Sequence, residues 1–367
     1  MSDTTAASAL TPKVWDRRFF AEYIRTNRFK PYMGTGSNSI FQIKEDLTKE
    51  KGDRIVIPLV TKLTGAGVTG STVLEGNEES LSSYGHEIIV NPLRHAVVVD
   101  DWQNQKSAID LRQAARDQLM NWAQQNLRGG SGANAGVGII EAFGSIQAAA
   151  GGAIVKYADA SEANKDAWLA ANDDRVLFGA AKSNNASNDH SAALAQIDNT
   201  SDKLTPGIVS LAKRMAQEAD PHIRPFRVPE IDQEWFVMFC NSRAFRDLAN
   251  NSTMTQANRD ALARGKDNPI FKGGDLMWDG VIIREVPEIA VISGVGGSSI
   301  DVAPNYLCGA QAIGIGWAQR TKTVTQTTDY EFRKGVAVSE IRGIDKMFFN
   351  GVQHGCVTVY TAGVADS

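Results

Sequence analysis

Lys51-Gly52-Asp53-Arg54-Ile55-Val56-Ile57-Pro58-Leu59-Val60 opens the stretch that decides the fold, which continues through His95-Ala96-Val97-Val98-Val99-Asp100 to Arg128. The first segment places Ile55, Ile57 and Leu59 on one side at the period-2 spacing of a half-buried strand. Between it and the second apolar run lie about 25 residues rich in Gly, Ser, Thr and Glu, too many for a tight turn and too polar for a core. The pattern predicts a long hairpin whose second arm ends at His95–Asp100 and whose tip lies near Glu75-Gly76-Asn77. With about 20 residues per arm at about 3.3 Å each, it would reach roughly 65 Å. A two-stranded ribbon of that reach is at best marginally stable in water. The expectation is therefore that it takes its support from a neighbouring molecule.

A helix follows directly. Ser107-Ala108-Ile109-Asp110 has the form of a helix-opening cap, and Leu111, Ala115, Leu119 and Trp122 recur at steps of four, four and three. Gly129-Gly130 stops it. A helix from Ser107 to Arg128 spans roughly 30 Å, enough to form the backbone of a layer.

Upstream, Thr11-Pro12 reads as a helix start, after which Trp15, Phe19 and Tyr23 recur every four residues. Lys13, Arg17, Arg18, Arg25, Arg28 and Lys30 outweigh Asp16 and Glu22 there. Two readings stand: an amphipathic helix packed on its own domain, or an arm docking on another subunit or facing a polyanion.

Downstream, residues 129–153 are dense in Gly, Ala and Ser, and 183–203 in Asn, Ser and Asp, which is loop chemistry around short helices such as Glu162–Ala171. Thr205-Pro206 opens a helix to Ala219, and Pro221, Pro225 and Pro229 mark an extended crossing. Beyond Glu234 the pattern predicts a mixed α+β domain. Trp235–Cys240 reads as a buried strand, Asn241-Ser242 as a helix cap, and Val281–Ile283 as a strand paired with Ile289–Ile292. Ala310–Trp317, a run interrupted by glycines, Val336–Ile341 and Cys356–Tyr360 read as further strands.

The 367 residues carry 22% charged and 43% hydrophobic side chains, ordinary for a folded chain. A net charge of -4 argues against nucleic-acid binding as the main task. Cys240, Cys308 and Cys356 are odd in number and lack metal spacing, so they read as buried thiols in a reducing compartment. No secretory signal pattern or long apolar run is read, and folding in cytoplasm is expected.

The chemistry-bearing motifs are sparse. Gly65-Ala66-Gly67-Val68-Thr69-Gly70 is a literal G-x-G-x-x-G after a strand, but a dinucleotide site needs a helix next, and Ser71–Ser83 has no apolar face and crowds Glu75, Glu78 and Glu79 where a diphosphate would sit. A hairpin accounts better for the same glycines. His86, His95, Asp100 and Asp101 lack a tight ligand spacing and read as structural or surface residues. No nucleophile elbow or Walker loop occurs. Catalytic, cofactor-binding and metal residues are all expected to be none, which suits a structural subunit better than an enzyme.

The order of parts resembles the major capsid proteins of tailed double-stranded-DNA bacteriophages, in particular the coat proteins of N4-type podophages. The residues that carry the resemblance are Trp15-Asp16-Arg17-Arg18-Phe19-Phe20, Lys51 to Leu59, Leu74-Glu75-Gly76-Asn77-Glu78-Glu79, Asn268-Pro269-Ile270-Phe271-Lys272-Gly273-Gly274, Trp278-Asp279-Gly280-Val281 and Leu307-Cys308-Gly309-Ala310-Gln311-Ala312. It implies the capsid fold shared with encapsulin shells, divided into an N-terminal arm (1–50), an extended hairpin loop (51–104) and a peripheral domain (105–230) with spine helix 107–128 and a Gly/Asn-rich insertion. An axial domain (231–330) and returning C-terminal strands (331–367) complete it. It further implies hexamers and pentamers of a shell in the virion, a portal, scaffolding or decoration partners, and packaged DNA enclosed but weakly contacted. Glu75, Glu78 and Glu79 are expected to meet basic residues of a neighbour, with Arg112, Arg116, Arg17 and Arg18 as candidates and Trp15 and Phe19 on the docking arm. The competing readings are a nanocompartment shell with a protein cargo and, more remotely, a nucleotide-binding enzyme using Gly65–Gly70.

Overall fold

The computed structural model describes residues 28–48 and 51–366, apart from 64, 72, 77, 108, 131–135, 186, 229–232 and 263–275. The expected helix around Trp15 and Phe19, and the stretch Asn268–Gly274, lie outside the described residues.

Two sheets share one aromatic core. The larger has seven strands, in the order Leu276–Trp278, Val281–Glu285, Gln233–Cys240, Val302–Cys308, Cys356–Ala362 and Val176–Phe178, with Phe226–Val228 added on Gln233–Trp235. Alternation sorts its side chains. Phe236, Met238 and Cys240 face a core roofed by the helices Pro206–Glu218 and Ser242–Asn250, whereas Val237 and Phe239 face the second sheet. In that shared core Phe239 packs with Phe29, Phe41 and Phe143 at ring-centroid separations of 5.1, 5.9 and 5.5 Å, tilted or edge-on as aromatic quadrupoles prefer.

The second sheet has five strands, ordered Met33–Gly34, Phe41–Lys44, Ile313–Thr328, Arg333–Lys346 and Asn91–Asp100. Its centre is a tall hairpin whose arms run 16 and 14 residues. The spine helix, Leu111–Arg128, lies on one face of it, with Leu119 and Ala123 against Val336 and Val338. The Asp110 carboxylate accepts from the N–H groups of Arg112 and Gln113, and Gly129 ends the helix at φ 82°. The expected start at Ser107 is thus four residues early, because a separate short helix, Asp101–Lys106, precedes it.

The Gly- and Asn-rich middle is built into the body. Trp168, Leu169, Val176 and Phe178 are buried with Leu194, Phe348 and Tyr360, and Val176–Phe178 pairs in parallel with Thr358–Tyr360. Buried Asn172 donates to the carbonyls of Trp168 and Gly351 and accepts from the Gln353 N–H, while Arg175 donates to the Gln353 carbonyl.

Two expected pairings are corrected. Val281–Glu285 pairs with Gln233–Cys240 in parallel and with Leu276–Trp278 antiparallel; Ile289–Ile292 forms no strand, and Ile292 makes a single bridge to Val302. More consequentially, the run ending at Asp100 is not the second arm of the hairpin that starts at Arg54. Arg54–Val60 pairs with Ser83–Ile89, while Asn91–Asp100 crosses to the other sheet and pairs with Arg333–Arg342.

Candidate assembly interface

The projecting hairpin begins with a docked base. Ile55, Ile57 and Ile88 turn inward onto the tall hairpin, whose floor there is Gly314, Gly316 and Gly343. The glycines are required by close approach: a Cβ on Gly314 would sit 2.5 Å from Ile88 Cδ1, and one on Gly343 would sit 2.2 Å from the Ile89 carbonyl oxygen. Met347 and Phe349 close the pocket around Ile57 and Ile88. The base therefore finds footing on its own chain, contrary to the expectation that all support comes from outside.

His86 belongs to this base. It is buried, its Nδ1 faces the Phe348 carbonyl at 3.1 Å and the Phe348 N–H at 3.3 Å, and its ring meets Phe349 edge-on. Burial lowers its pKa to about 4, so the ring is neutral at pH 7. His95 lies on a different sheet, packed at 5.0 Å against Trp122, and Asp100 and Asp101 pair with Arg333 and Lys334. Among the described residues no group of three or more His, Cys, Asp and Glu is placed to hold a metal, and no helix is long and apolar enough to cross a membrane.

Beyond the base the ladder stops. The last rung is Thr61 N–H to the Ser82 carbonyl, 3.0 Å, and the described residues from 62 to 81 form turns and extended chain. The arms therefore pair over seven residues each and not about twenty. Gly67 and Gly70 take left-handed φ angles of 66° and 69°, and no helix follows them among the described residues, so the glycine motif has no helix N-terminus to offer a phosphate.

This distal loop and the strand end that leads into it leave apolar side chains open. Val60, Leu63, Val73, Leu74 and Leu81 each leave more than half of their surface exposed. Glu79 accepts from the Gly65 N–H at 2.6 Å and Glu78 from the Gly76 N–H at 2.7 Å, so two of the three expected contact glutamates brace the loop itself; Glu75 is exposed. Lys62 reaches Asp220 at 3.5 Å, an ion pair exposed on both sides and worth little. Arg112 and Arg116 stand exposed on the spine helix, one turn apart. Within one chain, neither Glu75 nor Glu78 pairs with them among the described residues. Trp15, Arg17, Arg18 and Phe19 lie outside the described residues.

A second open surface went unread in the sequence. The tall hairpin ends at Asp329-Tyr330-Glu331-Phe332, where three successive non-glycine residues take φ angles of 57°, 49° and 70°. Such angles cost energy outside glycine. The tip is held by the Asp101 N–H donating to the Phe332 carbonyl and by Arg333 beside Asp100 and Asp329. Tyr330 is fully exposed, and Phe332 and Trp102 are open beside it. Thr321–Thr328 is rich in β-branched residues, a signal that would have extended the strand past Trp317.

The described residues give a packed body with two projections that carry exposed apolar side chains. Comparison with known proteins accords with it. Residues 3–365 match the family described as phage capsid protein. The major capsid protein of Pseudomonas phage KPP25 is 27% identical over 373 aligned residues, covering 95% of this chain and 94% of that one. Among solved structures, the capsid of cyanophage Pam1 superposes over all of both chains with a TM-score of 0.89 and 37% identity. The capsid of Ralstonia phage GP4 does so with a TM-score of 0.74 at 23% identity, sharing the fold. The chain belongs to the phage capsid protein family: it is a major capsid protein, the structural subunit that self-assembles into the shell of a tailed-phage head.

Proposed function

We propose that each subunit closes the shell by laying its distal loop over the neighbouring copy, so that side chains left open in one chain are covered in the ring. The observation that carries this is the set Leu63, Val73, Leu74 and Leu81, exposed on a segment whose own ladder has ended. Large apolar side chains left open together on one segment mark interaction sites in soluble proteins. Heterologous contacts of this type close into rings, and we assign pentamers and hexamers to them. In this reading residues 1–50 are the arm, 51–104 the extended loop, 105–230 the peripheral domain, 231–330 the axial domain and 331–367 the returning strands. Val176–Phe178 then reaches from the peripheral part into the sheet of the axial part.

Glu75, Glu78 and Glu79 meet Arg112 and Arg116, or Arg17 and Arg18, of the adjoining copy, with Trp15 and Phe19 anchoring the arm. Exposed pairs contribute about 0.2–1 kcal/mol each, so they set register more than strength. The net charge of -4 supports a wall that encloses double-stranded DNA without gripping it. A portal, and scaffolding or decoration proteins, complete the partner set, with assembly in the host cytoplasm.

Replacing residues 62–81 by a short Gly/Ser linker tests the loop contact. The expected result is a soluble chain with its melting temperature nearly unchanged and no closed particles by negative-stain electron microscopy. Normal closed shells would overturn the proposal.

A further inference from the structure

The seven-stranded sheet brings two of the three cysteines face to face. Cys308 and Cys356 are direct partners across the antiparallel pair Val302–Cys308/Cys356–Ala362. The Gly309 N–H donates to the Gly355 carbonyl at 2.9 Å, joining the residues beside the pair, so Cys308 and Cys356 occupy a position whose own backbone groups are not bonded to each other. At such positions the Cα atoms stand about 4.5 Å apart and the side chains come closest. That lies inside the roughly 4.4–6.8 Å that a disulfide spans. Both side chains are fully buried toward the shared aromatic core, and the Cys308 thiol donates to the Tyr306 carbonyl at 3.8 Å.

A second feature points at the same pair. Lys346 is buried, with its Nζ donating to Gln353 Oε1 at 3.2 Å and lying 5.7 Å from the Trp168 and Phe348 ring centroids. Among the described residues no carboxylate forms an ion pair with it, and the ionisable groups that act on it are the thiols of Cys356 and Cys308. A buried ammonium without a carboxylate partner is costly, and burial lowers its pKa to about 8. The neighbouring Cys308 and the Lys346 ammonium lower the Cys356 thiol against the opposing effect of burial, whereas burial pushes the Cys308 thiol up. Cys240 is the internal contrast: it is buried on the other face of the sheet, in the other core, and burial alone pushes its thiol up.

We propose that Cys308 and Cys356 are a redox-active dithiol within one subunit, oxidised by hydroperoxide to a disulfide that staples the C-terminal strand to the centre of the seven-stranded sheet. Lys346 holds the proton of the Cys356 thiol. The thiolate attacks one peroxide oxygen and breaks the O–O bond, and the leaving hydroxide takes the Lys346 proton to become water. The Cys308 sulfur then attacks the sulfenyl sulfur of Cys356, surrendering its own proton, and the second hydroxide leaves as water. Two thiols lose two electrons, and the peroxide gains them.

The test treats full-length folded subunits with hydrogen peroxide, removes the excess with catalase, then denatures and alkylates them. The expected product is about 2 Da lighter before alkylation, as loss of two hydrogens requires. It carries a single alkyl group, on Cys240, and yields a Cys308–Cys356 linked peptide. Its melting temperature should rise by several degrees and return with dithiothreitol, and neither should occur in Cys308→Ala or Cys356→Ala. Lys346→Met should slow thiol loss at neutral pH by roughly tenfold, the scale of a one-unit rise in thiol pKa. Three alkylatable thiols per chain in peroxide-treated folded wild type, or a bridge that includes Cys240, would overturn the dithiol. Equal rates in Lys346→Met would overturn the role of the lysine.

Discussion

The projecting hairpin at Arg54–Ile89 and the tall hairpin at Ile313–Lys346 are both antiparallel, both rich in β-branched residues and both directed away from the aromatic core. The ladder of the first ends after seven paired residues, whereas that of the second has thirteen pairs and runs to its tip. The difference lies in what each has beside it. The tall hairpin gains a third strand, Asn91–Asp100, and the spine helix covers one of its faces through Leu119, Ala123 and Trp122. The projecting hairpin is supported only at its base, by the glycine floor and by Met347 and Phe349, and its pairing stops a few residues beyond that support. A two-stranded ribbon persists as far as something covers one of its faces.

Four sets of substitutions press on that contrast. The largest effect is expected at Glu340 and Arg342, an ion pair at 2.7 Å with both side chains 1% exposed, near the foot of the tall hairpin. Arg342→Leu alone leaves the Glu340 carboxylate buried without its partner, and should cost about 3–5 kcal/mol in chemical denaturation. Glu340→Gln combined with Arg342→Leu should recover most of that loss; full persistence of the loss in the double variant would show that packing, not charge, sets the foot.

Next comes the floor. Gly343→Val puts side-chain atoms where the Ile89 carbonyl and Ile88 now lie, and overpacking of this kind costs about 1–3 kcal/mol. It should also undock the base, seen as faster proteolysis between Val60 and Ser83 with the tall hairpin still protected. Equal protection of both hairpins would sink the assignment of the floor as the footing.

A pH-dependent effect is expected at His86. Its folded pKa, lowered to about 4 by burial, lies below the unfolded value of about 6.5. The unfolded chain therefore binds more protons between those values, and the stability from the neutral ring is full above about 6.5 and is lost as pH falls toward 4. His354, lowered to about 4 by burial and by nearby Arg175 and Arg224, acts in the same direction. Asp345, raised to about 7 by burial, acts oppositely, its contribution being lost as pH rises through 7. Comparison of wild type with His86→Asn cancels the other two groups, and the variant should show a shallower loss of stability from pH 6.5 to 4, by about 2–3 kcal/mol. An identical slope would remove His86 from the acid response of the base.

The smallest effect on the monomer is expected from reversing Glu75, Glu78 and Glu79 to lysine. All three are exposed, and surface changes usually stay within about 0.5 kcal/mol. Assembly is the readout that separates loop from body: loss of closed shells with an unchanged melting temperature places these charges at a contact between copies, and normal shells would remove them from it.

What was legible beforehand was what is encoded locally. Asp110 and Gly129-Gly130 bracket the spine helix because caps act within one turn, and Ile55, Ile57 and Leu59 share a face because side chains on a strand alternate. The run His95–Asp100 was equally clear as a strand, yet its partner was misassigned, since backbone hydrogen bonds carry no sequence label and any exposed edge can accept it. The glycines of Ala310–Trp317 were visible as interruptions, but their reason, the approach of Ile55 and Ile88, comes from residues more than two hundred positions away. Tyr330 and Phe332 were passed over because a polar strand leading to a turn has little hydrophobic periodicity to announce it.

By itself the sequence determined the spine helix and its C-terminal stop, the inward faces of the buried strands and the likeness to capsid proteins, all of which rest on neighbours a few residues apart or on a pattern spread along the chain. Only the tertiary structure decided which strand pairs with which, where the projecting hairpin finds its floor, and that Cys308 meets Cys356 beside Lys346. Those are contacts between distant segments, selected by the packing of the whole core.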